Sequence, residues 1–204
     1  MNKYKLIIFD LIDTLADCKG LSEMTAQLES TLGQEAIDMF IDKGNIDKIK
    51  SIDEAINIFR SKKDFSEENE KLLRQWVGWS NTILYEDTIE TLKYLKDKGY
   101  EVAIISNTPP TSKDQLAELG INQYIDVAIF SFEVGSRKPE KEIFLSCLEK
   151  TGVDPSEALM IGDSIKNDIN GAKNVGIDAL LIDRNNIIDY EPKITNLNQL
   201  QDIL

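Results

Sequence analysis

Five polar side chains follow short apolar runs of this sequence: Asp10, Ser106, Lys138, Asp163 and Asp168. If those runs are parallel β-strands, their carboxyl ends share one edge of the sheet, where ligands of open α/β sheets bind. Three converging carboxylates repel one another unless a cation lies among them. Mg²⁺ prefers oxygen ligands and commonly takes one or two carboxylates together with substrate phosphate. The residues therefore predict a magnesium site beside a phosphate site.

The other groups of this set suit phosphate chemistry. Lys138 supplies positive charge, and the hydroxyl of Ser106 supplies a donor for phosphate oxygens. Asn107 is a further candidate for phosphate contact. Asp10 is a candidate nucleophile, because carboxylates can form aspartyl-phosphate intermediates. We therefore predict that Asp10, Ser106 and Lys138 are catalytic and that Ser106, Asn107 and Lys138 bind substrate.

Each of these residues also has a purely structural alternative. Asp10 could be a cap or turn former at the end of its strand, and Asp163 could cap a helix that begins at Ser164. The remaining alternatives are a structural hydrogen-bond partner for Asp168, a solvated loop lysine for Lys138, a structural hydroxyl for Ser106 and loop ordering for Asn107.

The composition excludes several classes of site. The 204 residues include 0 histidines, which removes Ser-His-Asp and Cys-His catalysis and HExxH zinc sites. The motifs GxxxxGK[ST] and GxGxxG are also absent from the sequence, and with them the standard nucleotide cradles. An enzyme with this composition must use carboxylates, lysine, hydroxyls and a bound metal.

Charge and cysteine usage limit the partners and the compartment. With 36 acidic and 23 basic residues the net charge is -13, which disfavours nucleic acid and anionic membranes as partners. Residues 1–15 form neither a signal peptide nor a membrane span, because Asp10 and Asp13 interrupt their apolar stretch. Cys18 and Cys147 form no CxxC unit, so we expect a cytoplasmic protein with free thiols. The sequence gives no indication of oligomeric state.

The elements that must position the polar residues alternate between strand and helix. Continuous apolar runs predict parallel strands covered on both faces, at Tyr4–Phe9, Glu101–Ile105, Val127–Phe130, Ala158–Ile161 and Ala179–Ile182. Helical patterns lie at Thr88–Lys98, about Ser112–Leu119, Pro139–Lys150 and Ser164–Asn174. We predict an α/β fold with a doubly wound, Rossmann-like parallel sheet.

Residues 16–85 break this alternation. They contain no convincing strand and several amphipathic runs, at Leu21–Leu32, Glu35–Ile41, Ile52–Phe59 and Glu67–Leu84. We predict a small helical cap domain at 16–85, in which Trp76 and Trp79 belong to the packed core, and an α/β core domain formed by 1–15 and 86–204. The insert would then lie over the carboxyl ends of the strands.

Four runs of the sequence resemble the motifs of the haloacid dehalogenase (HAD) superfamily, in order: IIFDLIDTL, IISNT, SFEVGSRKPEKEIF and IGDSIKNDINGAKNVG. The resemblance implies that Asp10 is both nucleophile and metal ligand. It also implies that Ser106 and Lys138 are the motif hydroxyl and lysine, that Asp163 is a metal ligand and that Asp168 supports the metal site. The segment at 16–85 resembles the helical cap that many members carry.

One position departs from the motif of the family's phosphatases. They carry D-x-D, and the second aspartate protonates the leaving group and then activates water, whereas this chain has Ile12. The resemblance implies that position 12 ligates the metal through its backbone carbonyl, so Ile12 can still serve that purpose. General acid–base catalysis contributes roughly 10²–10⁴-fold, so we expect slow turnover of ordinary alkyl phosphates. Asp13 could replace the missing acid, although a turn or helix-start role fits its position better.

The expected function is a Mg²⁺-dependent phosphatase that acts on a small phosphorylated metabolite, favouring good leaving groups such as acyl or aryl phosphates. A phosphate-binding or regulatory protein that kept the fold and lost catalysis is the alternative from another class. A 2-haloacid dehalogenase is less favoured, because those enzymes need no magnesium and differ in the fourth motif. A phosphonatase would require a reactive lysine in the cap.

Overall fold

The computed structural model describes residues 3–33, 51–60, 65–78, 81–108 and 114–204. Within these ranges no helix is long and apolar enough to cross a membrane.

The described residues contain one parallel sheet and one small ribbon. The strands are β1 (Leu6–Phe9), β2 (Ala16–Cys18), β3 (Thr82–Leu84), β4 (Glu101–Ser106), β5 (Val127–Phe130), β6 (Ala158–Gly162), β7 (Asp178–Ile182) and β8 (Lys193–Ile194). Six strands pair in the order β5-β4-β1-β6-β7-β8, and β2 pairs with β3 in a separate antiparallel ribbon. All pairs within the large sheet are parallel. This arrangement confirms the predicted α/β fold, and β1 lies inside the sheet with a partner on each side.

Helices cover both faces of the sheet and form the insert. The α-helices in the described part of the chain are α1 (Leu21–Leu32), α2 (Ile52–Arg60), α3 (Glu67–Gly78), α4 (Thr88–Asp97), α5 (Gln115–Glu118), α6 (Ser131–Val134), α7 (Lys141–Thr151), α8 (Gly171–Lys173) and α9 (Leu200–Ile203). A π-helix spans Ile165–Asn170, and short 3₁₀ helices lie at Asn122–Tyr124, Pro155–Glu157 and Leu197–Gln199.

The sequence of β1 is apolar throughout because both faces of this strand are buried. Successive side chains of a strand point to opposite faces of the sheet. Ile7 and Phe9 join an apolar cluster that includes residues of α4, whereas Leu6 and Ile8 join a second cluster that includes residues of α7. All four side chains are fully buried, because the sheet is covered on both faces.

The insert has an apolar cluster of its own. It consists of eight buried residues from α1, α2 and α3, namely Met24, Leu28, Ile56, Phe59, Leu72, Leu73, Trp76 and Val77. Trp76 is buried as predicted, whereas Trp79 and the predicted run Glu35–Ile41 lie outside the described residues. The helical character predicted for the described parts of 16–85 is confirmed, except at the two ends of the segment.

The ends of the insert form a ribbon that the sequence did not predict. The expectation of no strand in 16–85 was wrong, because β2 and β3 pair there, with Ala16 opposite Leu84 and Cys18 opposite Thr82. The helix predicted over Glu67–Leu84 therefore ends at Gly78. Three-residue strands are too short to show an alternation in the sequence, which is why this ribbon was missed.

Several further elements differ from the predictions, among them the short helices α6 and α9, which were not predicted. The helix predicted over Ser164–Asn174 is a π-helix followed by the short α8. The two-residue strand β8, at the edge of the sheet beside β7, was not predicted. The five predicted core strands are all present, with bounds that differ by no more than two residues at either end.

Candidate active site

The predicted site residues lie at the carboxyl ends of three central strands. Asp10 follows β1, and its backbone N–H donates to the carbonyl of Ile161 in β6 at 2.9 Å. Ser106 is the last residue of β4, and Asp163 follows the last residue of β6. Because β1 lies between β4 and β6, these three residues occupy neighbouring positions on one edge of the sheet.

Three carboxylates and one ammonium meet at this edge. Oxygens of Asp10, Asp163 and Asp168 lie within 4.8 Å of one another. The Lys138 ammonium forms an ion pair with Asp10 and a second with Asp168, at 2.7 Å in the latter case. Lys138 is 4% exposed, so the alternative of a solvated loop lysine does not apply. Three carboxylates against one ammonium leave an excess of two negative charges when all are ionised, which a divalent cation would balance.

Burial and mutual repulsion shift the pKa values of these groups. Burial raises the pKa of the Asp10 carboxyl to about 6, against the opposing effect of Lys138. Burial, followed by repulsion from Asp10 and Asp168, raises the pKa of Asp163 to about 8. For Lys138 the lowering effect of burial is outweighed by Asp10 and Asp168, so its pKa lies above the usual value. The cluster thus disfavours a third ionised carboxyl in the absence of a cation, as expected for a metal-binding set of oxygen ligands.

Asn107 fixes the loop that carries Lys138. Its side-chain amide donates to the Lys138 carbonyl at 3.0 Å, and its side-chain carbonyl accepts from the Lys138 backbone N–H at 2.8 Å. This pair of hydrogen bonds joins the end of β4 to the loop before α7. Asn107 therefore has the loop-ordering role considered above, and it also borders the cavity described below.

Asp168 is held in place by its own helix and by a glycine. The Ser164 backbone N–H donates to its carboxylate at 3.0 Å. A Cβ atom added to Gly162 would lie 2.4 Å from the Asp168 carboxyl, so this position requires glycine. The π-helix supplies the turn that brings Asp168 back over the end of β6, consistent with the frequent occurrence of π-helices at functional sites.

The helix cap beside Asp163 is a different residue. The hydroxyl of Ser164 accepts from the backbone N–H of Asn167 at 3.2 Å, and Ser164 is the N-cap of the π-helix. The capping alternative for Asp163 is therefore not observed, and its carboxyl faces Asp10 and Asp168 instead.

The turn after Asp10 separates Ile12 from Asp13. Ile12 borders the cavity of the site, whereas Asp13 is not among the residues that line it. Asp13 has a φ of 61°, in the left-handed region that aspartate and asparagine tolerate better than most residues, and its N–H donates to the Ala16 carbonyl at 2.7 Å. Burial, followed by repulsion from Asp17, raises the pKa of the Asp13 carboxyl. These contacts favour the turn role for Asp13.

The site is a small cavity of about 280 Å³. Within the described ranges, it is lined by all seven predicted site residues and by three others: Asp10, Ile12, Leu21, Ser106, Asn107, Lys138, Asp163, Ser164, Asn167 and Asp168. Leu21 comes from the insert, and the predicted site did not include it because its approach depends on the path of the chain between β2 and α1. A larger cavity of about 690 Å³ beside Arg184 contains none of the clustered carboxylates.

Arg184 is a second residue that the sequence analysis missed. Its guanidinium donates to both carboxylate oxygens of Asp87 at 3.1 Å and to the carbonyl of Thr14 at 2.5 Å. It also lies 3.6 Å from the centre of the Tyr85 ring. Arg184 therefore ties the loop after β7 to the end of the turn that begins at Asp10. An arginine in a polar loop gives no signal of such a contact in the sequence.

Comparison with known proteins places these features in a family context. The sequence matches the family described as haloacid dehalogenase-like hydrolase over residues 4–176. It is 29% identical to the glyceraldehyde 3-phosphate phosphatase of Pyrococcus furiosus, over 100% of this chain and 94% of that protein. It is also 29% identical to the glyceraldehyde 3-phosphate phosphatase of Methanothermobacter thermautotrophicus, over 87% of this chain and 85% of that protein. The crystal structure of a HAD phosphatase from Thermococcus onnurineus superposes with a TM-score of 0.69 at 32% identity, covering 98% of this chain and 97% of the other.

Proposed function

This chain belongs to the haloacid dehalogenase-like hydrolase family, and we propose that it is a Mg²⁺-dependent phosphatase of small phosphorylated metabolites, with Asp10 as the nucleophile. The observation that carries the proposal is the meeting of Asp10, Asp163, Asp168 and Lys138 around one cavity at the carboxyl edge of the sheet. The glyceraldehyde 3-phosphate phosphatases and the HAD phosphatase to which the chain is similar support the same reaction class.

The substrate's phosphoryl group is bound by Lys138 and Ser106 in this proposal. Lys138 is buried and oriented by its backbone bonds to Asn107, so it presents a fixed positive charge beside Asp10. Ser106 and Asn107 border the same cavity and offer a hydroxyl and an amide to phosphate oxygens. Asp10 then attacks phosphorus in line, and the bond from phosphorus to the leaving oxygen breaks as the aspartyl phosphate forms. The leaving group departs as an anion, and water then hydrolyses the aspartyl phosphate to release phosphate and regenerate Asp10.

The oxygen-rich cluster fits a magnesium ion. Asp10, Asp163, Asp168 and the backbone carbonyl of Ile12 are the residues that would hold it, and the excess negative charge of the carboxylates favours a divalent cation. When bound, such an ion neutralises charge on the transferring phosphoryl group. Lys138 contributes to the same electrostatic stabilisation from the protein side.

Ile12 determines which esters the site can cleave quickly. It borders the cavity and has no proton to give to a leaving oxygen. Substrates whose leaving group departs without protonation, such as aryl phosphate esters and acyl phosphates, should therefore react faster than alkyl phosphates. Ile12 is also the observation that favours a second candidate function, a phosphate-binding or regulatory protein that no longer turns over substrate.

The first test restores the missing acid. We expect Ile12→Asp to increase kcat/KM for glycerol phosphate, an alkyl ester, by about 10²–10⁴-fold, because general acid catalysis supplies that much to a poor leaving group. The gain on phenyl phosphate should be smaller, since phenolate departs more easily. Steady-state rates of phosphate release with Mg²⁺ measure both effects.

Two companion variants make this test interpretable. Asp13→Asn should retain at least half of the wild-type activity, because asparagine also tolerates the left-handed backbone of this turn. Asp10→Ala should remove all turnover. If Ile12→Asp gains on neither ester, the missing-acid account is wrong. If the wild type and Asp10→Ala are equally inactive but bind phosphate, the regulatory function is the better description.

A further inference from the structure

Leu21 brings the insert into contact with the active-site cavity. It is the first residue of α1, and among the described residues of 16–85 it is the only one that lines this cavity. Its side chain is half-buried and packs against the apolar cluster of the insert. Leu21 thus belongs to the insert's own core and faces the site at the same time.

A relay of hydrogen bonds fixes the position of Leu21. The hydroxyl of Thr25 donates to the Leu21 carbonyl at 2.8 Å, and the same hydroxyl accepts from the indole N–H of Trp76 at 2.8 Å. Trp76 is 4% exposed and belongs to α3. The first turn of α1 is therefore tied to α3, which fixes the backbone of Leu21 beside the cavity.

The wall of the active-site cavity contains many polar residues and few apolar ones. Of the ten described residues that line it, eight are polar, and Ile12 and Leu21 are the two apolar ones. The polar residues include the carboxylates, lysine and hydroxyl that account for the phosphoryl group and a cation. A hydroxyl-rich leaving group placed against the two apolar side chains would lose hydrogen bonds to water without replacing them. An apolar leaving group would instead gain free energy from the surface that it buries.

We propose that Leu21 is a specificity-determining residue that contacts the leaving group of the ester and selects small leaving groups with an apolar carbon skeleton. The inference rests on the proposed function in one respect, namely that the cavity takes a phosphate ester. The volume of about 280 Å³ supports the restriction to small leaving groups, because ligand cavities commonly span about 300–1,000 Å³ and part of this one is taken by the phosphoryl group.

The test uses binding of two non-hydrolysable phosphonates, so that it does not depend on turnover. Benzylphosphonate places an apolar ring where a leaving group would lie, and methylphosphonate carries almost none of that surface. Their dissociation constants are measured by calorimetry in the presence of Mg²⁺ for the wild type and for Leu21→Asn, Leu21→Met and Leu32→Asn. Leu32 is the matched control, because it is a half-buried leucine at the other end of α1 that packs against the same cluster but does not line the cavity.

We expect the wild type to bind benzylphosphonate about 5–10-fold more tightly than methylphosphonate, a difference of the size expected for the contact of one aliphatic side chain. Leu21→Asn should lower this ratio by at least about 2-fold, with the contact to Ile12 accounting for what remains, and should leave methylphosphonate binding within about 2-fold. Leu21→Met, which keeps an apolar side chain of similar volume, and Leu32→Asn should both preserve the ratio.

Two results would overturn the proposal. One is a ratio near one in the wild type, and the other is an equal loss of the ratio in Leu21→Asn and Leu32→Asn, which would assign the effect to packing of the insert. Failure of the proposed function has a different signature: the wild type would bind both phosphonates with the expected ratio and yet hydrolyse neither phenyl phosphate nor acetyl phosphate.

Discussion

At the scale of single residues, Asp163 links the pH to the stability of the metal-free protein. The ordinary pKa of an aspartate side chain is 3.8, and in the folded protein burial and the neighbouring carboxylates raise the pKa of Asp163 to about 8. A carboxyl whose pKa is raised on folding stabilises the fold while it is protonated. That contribution is complete below about pH 4 and is lost as the pH rises toward about 8. Asp10 acts in the same direction, with a raised pKa of about 6.

Asp163→Asn should remove most of this pH dependence. We expect the metal-free variant to melt at least about 2 °C higher than the wild type at pH 8, because the amide cannot ionise, and about equally at pH 4. The variant should also lose most of the Tm increase that Mg²⁺ gives to the wild type. Thermal unfolding with and without Mg²⁺ at both pH values measures these effects.

Asp178→Asn is the control for the Asp163 variant. The Asp178 carboxylate forms an ion pair with Lys3 and accepts a hydrogen bond from the Tyr4 hydroxyl. The hydrogen bond from Lys3 holds the pKa of Asp178 below its ordinary value. Its neutralisation should therefore not raise the Tm at pH 8. A Tm of the metal-free Asp163→Asn protein at or below that of the wild type at pH 8 would contradict the account of charge repulsion in the site.

At the scale of elements, Arg184 joins three segments that the chain order keeps apart. It lies after β7, binds Asp87 directly before α4, and donates to the carbonyl of Thr14 before β2. Asp87 also accepts from the backbone N–H of Leu197 at 2.8 Å, and the hydroxyl of Thr88 donates to the Leu15 carbonyl at 2.6 Å. The turn that follows Asp10 is thus fixed to the core at its far end.

Arg184→Lys should destabilise the protein by about 1–3 kcal/mol. Lysine keeps the charge but cannot reproduce the paired bonds to Asp87 and the stacking on Tyr85, and it leaves partly buried acceptors with fewer donors. Chemical denaturation measures the change. Arg60→Lys is the control, because Arg60 forms an exposed ion pair with Glu70 and its replacement should cost less than about 1 kcal/mol. Equal losses of unfolding free energy in the two variants would show that the Arg184 contacts stabilise the protein no more than an exposed ion pair does.

How much of this structure the sequence predicts depends on how local the signal is. Strands such as Leu6–Phe9 are recognisable because burial on both faces requires a continuous apolar run, and their polar ends predict where Asp10 and Asp163 meet. The ribbon of Ala16–Cys18 and Thr82–Leu84 gives no such signal, because its strands are short and its pairing spans the whole insert.

The remaining site features depend on contacts between distant segments. The sequence of Ile165–Asn170 suits an α-helix equally well, and the π-helical turn accompanies the packing of Asp168 against Gly162. The approach of Leu21 to the cavity and of Arg184 to Thr14 likewise depends on how elements pack. These contacts cannot be predicted from the sequence. Polar residues at strand ends, in contrast, can be recognised from the sequence as candidate site residues.

At the scale of the whole molecule, the apolar residues divide into clusters that do not share members. Two clusters lie on the two faces of the sheet, and a third lies within α1, α2 and α3. We propose on this basis that residues 16–85 form a cap domain with its own core and that 1–15 and 86–204 form the other domain. An independent core is the property that allows a domain to unfold separately.

Leu28→Ala should therefore loosen the insert alone. Leu28 is fully buried in the third cluster, and its truncation should cost about 2–5 kcal/mol there. We expect faster hydrogen exchange in α1 and α3 and unchanged exchange in β1, β4 and β6, measured by mass spectrometry. Leu95→Ala, which truncates a fully buried leucine of α4, is the reciprocal control and should affect the sheet. Equal acceleration across both regions after Leu28→Ala would show that the chain opens as one unit.

The position of β1 between β4 and β6 has a consequence for synthesis of the protein on the ribosome. Strand β1, which Asp10 follows, is made before both of its neighbours, and β6 is made only when translation reaches Ala158–Gly162. Until then, one edge of β1 has no partner strand, and the Asp10 carboxylate has neither Asp163 nor Asp168 beside it. A polypeptide released before Gly162 would therefore lack the cluster of three carboxylates and would leave one edge of the apolar strand β1 without its partner.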